Sequence, residues 1–146
     1  MSPIRKLALA PVALAALACG GSDEPSVESL SGIWTVTKLE FVSTANPAVK
    51  VELIAAGATA TLNLNDTGGY AVTVTLPGEA PETTTGTWSH TNDTLTLVET
   101  GSSGDMTFAL SLGNDVMTLT GANTEYDFND DGTDDPATLN IGLVRN

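Results

Sequence analysis

The chain is predicted to be all-β: an antiparallel up-and-down meander that closes into a small lipocalin-like barrel. Three observations carry the meander and its closure. Apolar residues alternate strictly with Thr, Asn, Ala or Ser over run after run, which is the pattern of strands with one face buried and one face wet. Turn-forming residues separate the runs: Asp66-Thr67-Gly68-Gly69, Asn92-Asp93, Gly113-Asn114-Asp115 and Asp131-Gly132. The links are short, so there is little room for crossover helices, and sequential antiparallel strands favour an up-and-down barrel over a sandwich.

Taken in order, the chain begins with what reads as an export signal over residues 1–18. Arg5 and Lys6 form a positive start, and Leu7 to Ala18 is an apolar stretch too short to span a bilayer. Small residues then lead to the only cysteine, in Ala15-Ala16-Leu17-Ala18-Cys19-Gly20. This resembles the lipobox of bacterial lipoproteins, with Ala16 where Leu is usual. The resemblance implies cleavage before Cys19 and lipid on its thiol. An ordinary secretory signal would leave a free thiol in an oxidising compartment, which lipidation avoids. Two or more acyl chains make a stable anchor, at roughly 0.8 kcal/mol per buried CH₂. Gly20, where Asp often marks retention in the inner membrane, favours the outer membrane, so the expected location is the cell envelope. Residues 19–29 (CGGSDEPSVES) read as the lipidated Cys and a flexible tether, rich in Gly, Ser and acids and without periodicity.

From Leu30 the pattern changes, and residues 30–146 form the expected barrel domain. Ala60, Leu62 and Leu64 alternate with Thr59, Thr61 and Asn63, and Tyr70, Val72, Val74 and Leu76 with Ala71, Thr73 and Thr75. The same period returns at Leu95 and Leu97, at Met106 to Leu112, at Met117 and Leu119, and at Leu139 to Leu143. β-Branched Thr suits the wet face of such strands. A membrane barrel would instead turn an apolar, aromatic-girdled face outward, so it is rejected. Residues 46–57 (NPAVKVELIAAG) fit either a short helix or an edge strand.

Loss of residues 1–18 leaves Lys38, Lys50 and Arg145 against all 18 acidic residues, a formal charge of −15. Such a surface repels phosphate backbones, which excludes nucleic acid as a partner, and it attracts cations. With aromatic residues at 5%, the core must come mainly from Leu, Val, Ile and Met.

The folded part opens on Leu30-Ser31-Gly32-Ile33-Trp34. A second Gly86-Thr87-Trp88 is followed by Asp93-Thr94-Leu95-Thr96-Leu97. With the Thr-rich strands between them, these motifs resemble the lipocalin-like domain of bacterial lipoproteins. The resemblance implies that Trp34, two residues after Gly32, packs across the closed end of the barrel, with Arg145 stacked on it as a cation–π pair. It also implies a small apolar or amphipathic ligand inside. The chain departs from that family in lacking a helix after the last strand and in being short. A small barrel filled by its own Leu, Met and Phe side chains therefore stays open as the alternative: a structural or protein-interaction module of the envelope.

One constellation suits a metal. Residues 127–135 (DFNDDGTDD) match the first part of a calcium loop, in which Asp127, Asn129 and Asp131 ligate by side chains, Thr133 by its carbonyl and Asp135 directly or through water. The twelfth position holds Thr138 rather than the expected Glu, and the flanks read as strands. An acidic hairpin loop with solvated charges is the other reading. Catalysis has little support. His90 is the only histidine, zinc would need more His or Cys, and Ser89, His90 and Asp93 in one turn cannot align as a triad. The chain is read as a binding protein, not an enzyme.

Overall fold

The computed structural model describes residues 25–146; the signal segment and Cys19 lie outside the described residues. A helical turn, α1 (Val27–Leu30), comes first. Nine strands follow: β1 (Gly32–Ser43), β2 (Lys50–Glu52), β3 (Thr59–Leu64), β4 (Gly69–Thr75), β5 (Glu82–His90), β6 (Thr94–Glu99), β7 (Met106–Leu112), β8 (Val116–Tyr126) and β9 (Asp135–Arg145). Each strand from β3 onward pairs antiparallel with the next, and β9 returns to β1. The result is the expected meander, closed as an eight-stranded barrel. No described helix is long and apolar enough to cross a membrane.

Residues 46–57 contribute an edge strand. β2 pairs with Glu40 to Val42 of β1, while Gly32 to Thr35 of the same strand pair with β3. The carboxylate of Glu52 fixes the turn that follows. It accepts backbone N–H bonds from Leu39, Ile54 and Ala55 at 2.8, 2.9 and 2.7 Å. Burial pushes this carboxyl upward, but the three backbone donors and the charge of Lys38 outweigh it and hold Glu52 below its ordinary value.

Two bulges decide which residues face inward. In β1 the register shifts between Val36 and Lys38, so Trp34 and Val36 are followed on the inner face by Leu39 and Phe41 rather than by Lys38 and Glu40. In β8 it shifts between Leu119 and Ala122, which carries the inward phase from Met117 and Leu119 to Ala122. Asn140, on the strand between them, ties both. Its Oδ1 accepts from the Gly121 N–H at 3.0 Å, and its Nδ2 donates to Glu40 at 3.2 Å. That bond, with Lys38 at 3.4 Å, lowers the Glu40 carboxyl against the effect of burial.

Outside, threonines pair across strands, Thr73 with Thr83 at 2.9 Å and Thr96 with Thr107 at 3.1 Å. Inside, Trp34, Leu64, Leu95, Phe108, Met117, Leu119 and Leu143 are fully buried. Each such side chain stabilises the fold by roughly 1.5–3 kcal/mol relative to exposure.

Candidate ligand-binding cavity

The meander sends alternate loops to opposite ends, and the two ends differ. One end receives α1, the short loops at residues 65–68, 91–93 and 113–115, and the C-terminus. Ser26 and Ser29 form a capping box on α1, which places Leu30 as a fully buried plug. Trp34 lies beneath it and donates from Nε1 to the Leu30 carbonyl at 2.8 Å. Trp34 and Arg145 are directly opposed across β1 and β9, and the Arg145 guanidinium carbon lies 4.3 Å from the Trp34 ring centroid. The same guanidinium donates to the carbonyls of Ser31, at 2.8 Å, and Ser29, and its Nε is 3.6 Å from Asp115. A Cβ on Gly32 would come within 3.1 Å of Arg145 Nη1, at a φ of +125° that side chains rarely adopt. Gly32, Trp34 and Arg145 thus form a closure. Trp88 belongs to the same end: it is buried, donates from Nε1 to the Asn65 carbonyl at 2.8 Å, and carries half-buried His90 stacked on its ring.

The other end is open. The interior there is a cavity of about 400 Å³, within the usual range for small-molecule sites. Its walls include Leu39, Val72, Met106, Phe108, Leu139 and Ile141. Polar groups come from Tyr70, Thr84, Glu99, Ser102, Asp105 and Asn123, and no Lys, Arg or His lines it. Tyr70 is mostly buried, and its hydroxyl, which makes no hydrogen bond to the described residues, is accessible from the cavity rather than buried. Burial, and then the nearby Glu99 carboxylate, push this phenol above its ordinary value. Its ring is placed by Gly86, its cross-strand partner: a Cβ there would meet Tyr70 Cε1 at 2.7 Å and the Val98 carbonyl oxygen at 2.0 Å. At the rim Phe41 stacks on Tyr126, and Tyr126 meets Phe128 edge-on.

No family model matches this chain, and no curated protein matches it.

The acidic loop of residues 127–135 joins β8 to β9 at the open end. The side-chain oxygens of Asp127, Asn129 and Asp131 are engaged by the loop's own backbone. Asp127 accepts from the N–H groups of Asp131 and Gly132 at 3.2 and 2.8 Å, Asn129 from Asp131 at 3.2 Å, and Asp131 from Thr133 at 2.8 Å. These bonds turn the chain sharply, with Asp130 and Gly132 at positive φ. Among the described residues no group of three or more His, Cys, Asp or Glu is gathered to hold a metal ion. Thr133 and Asp135 sit on the same loop, Thr133 exposed and Asp135 half-buried at the start of β9.

Alternation alone made the walls of the cavity legible, since Val72, Met106 and Ile141 are apolar members of alternating runs. Tyr70 and Glu99 were not legible as a pair. Their meeting depends on β4 and β6 flanking β5, and the one local signal was a glycine opposite an aromatic residue.

Proposed function

We propose that this protein is a lipid-tethered, lipocalin-like barrel of the cell envelope that binds a small apolar or amphipathic molecule. The observation that carries the reading is the open, apolar cavity of about 400 Å³ at one end of the barrel. The structural-module alternative requires a filled interior, and the cavity favours the binding reading over it. The position of the N-terminus supports a tether that leaves the cavity accessible. α1 packs on the closed end, so a chain anchored at Cys19 leads to the end opposite the cavity mouth. The stretch from Cys19 to Pro25 reaches at most roughly 20 Å. The closed end would then face the membrane and the mouth would face away from it.

The test is titration of the domain, with Cys19→Ser to prevent lipidation, using N-phenyl-1-naphthylamine, an uncharged apolar dye. Saturable, one-to-one enhancement of its fluorescence is expected, and Val72→Trp, which fills the cavity from β4, is expected to abolish it with the fold retained by circular dichroism. Dye binding that does not saturate, or that survives Val72→Trp unchanged, would return the barrel to the class of surface modules.

A further inference from the structure

The cavity has an electrostatic sense as well as an apolar one. Its interior walls are hydrocarbon, whereas its mouth carries Glu99 and Asp105 and no basic side chain lines any part of it. The neighbouring loops and strand ends here add Glu79, Glu82 and the acidic residues of 127–135, opposed by Lys50 on β2. A carboxylate at the edge of a low-dielectric cavity acts on a charge inside it more strongly than it would across water. Within the cavity wall, Tyr70 and Glu99 flank Gly86, which pairs with both, and the Tyr70 hydroxyl makes no hydrogen bond to the described residues. The hydroxyl oxygen is accessible from the cavity, since no buried side-chain polar atom among the described residues lacks a partner, and it can accept from a ligand N–H.

We propose that the cavity takes a cationic amphiphile, an apolar body inside the barrel with an ammonium group at the mouth between Tyr70, Glu99 and Asp105. The proposal rests on the reading of the cavity as a ligand site and adds the chemical class of the ligand. The apolar body covers Leu39, Val72, Phe108 and Ile141. The ammonium N–H groups donate to the Tyr70 oxygen and to the two carboxylates. An anionic head group at the same place would meet like charges and no donor but hydroxyls, the Asn123 amide and the backbone.

Three ligands with the same chain separate the contributions: decylamine, decanol and decyl sulfate, each used below its micelle concentration to displace N-phenyl-1-naphthylamine at pH 7. Decylamine is expected to compete on the order of tenfold more tightly than decanol, and decyl sulfate more weakly than either. Raising the salt to 1 M, where the screening length falls to about 3 Å, should shrink the preference for decylamine. The E99Q/D105N double variant should shrink it likewise, and Tyr70→Phe should weaken decylamine. Equal competition by decylamine and decanol, or tightest competition by decyl sulfate, would overturn the cationic assignment while leaving the cavity a ligand site. No competition by any of the three, with no saturable dye binding, would overturn the cavity reading itself.

Discussion

The two ends of this barrel are built from the same alternating strands but differ in what fills them. At the closed end a helical turn, two tryptophans and one arginine occupy the interior, and among the described residues every polar side-chain group that the fold buries there has a partner. At the open end the loops are longer and acidic, and the interior side chains, among them Phe108, Met106 and Ile141, leave a cavity onto which the Tyr70 hydroxyl opens. The closed end is therefore filled by packed side chains, and the open end holds the cavity. Close packing and an open cavity compete for the same interior volume, and the barrel separates them along its axis.

The sharpest way to break this division is Trp34→Ala. It removes a fully buried indole, its bond to Leu30 and the platform under Arg145, and should cost about 3–5 kcal/mol in urea denaturation. If stability were spread evenly along the axis, large wall residues at the open end would cost as much. Gly86→Ala comes next. The added methyl has no room against the Val98 carbonyl and the Tyr70 ring, so β5 must shift, with an expected loss of about 1–3 kcal/mol. Because the change lies beside Tyr70, dye binding should weaken with it.

Asp127→Ala tests the rim. It removes the acceptor for two backbone N–H groups in the loop after β8, with an expected loss of about 1 kcal/mol read from the melting temperature. Scans of the unaltered protein with calcium and with chelator decide the separate matter of the ion: equal melting temperatures would remove calcium from the loop. The smallest effect is expected from Glu52→Gln, and it depends on pH. The folded protein holds Glu52 below its ordinary value of 4.5, so on acidification the unfolded chain takes up the proton first. The stability this carboxylate contributes is present above about pH 4.5 and is lost as pH falls through the lower folded value. The gap in urea midpoint between the unaltered protein and Glu52→Gln should therefore be widest near neutrality and narrow below about pH 4.5. A gap independent of pH would mean that the charge of Glu52 plays no part in fixing the turn.

How much of this was legible beforehand follows the range of the forces involved. The runs at Ala60 to Leu64, Tyr70 to Leu76 and Met106 to Leu112 were legible because period-2 alternation is local. β5 was harder to read, since its first half, Glu82 to Thr85, sets no apolar residue against its threonines before Trp88. The extension of β8 to Tyr126 was hidden by Gly121, where the bulge breaks the alternation. The tether expected over residues 19–29 meets the turn at Val27–Leu30. That turn is ordered by its capping box and by burial of Leu30, a contact no local pattern announces. Residues 46–57 were ambiguous because a three-residue strand carries almost no periodicity, and β1 decides its state by offering an unpaired edge.

By itself the sequence determined that the chain is antiparallel β, that its strands follow one another, and that its surface is strongly acidic. These are consequences of residue type and of neighbours one or two positions apart. The tertiary structure alone decided the register. Bulges in β1 and β8 set which residues face inward, ring closure brought Arg145 over Trp34, and the pairing of β5 with β4 and β6 placed Tyr70 and Glu99 on either side of Gly86. Whether the interior is full or hollow was also decided there. It depends on the summed volume of side chains from eight strands and on which end each reaches, a quantity that no single segment of the chain contains.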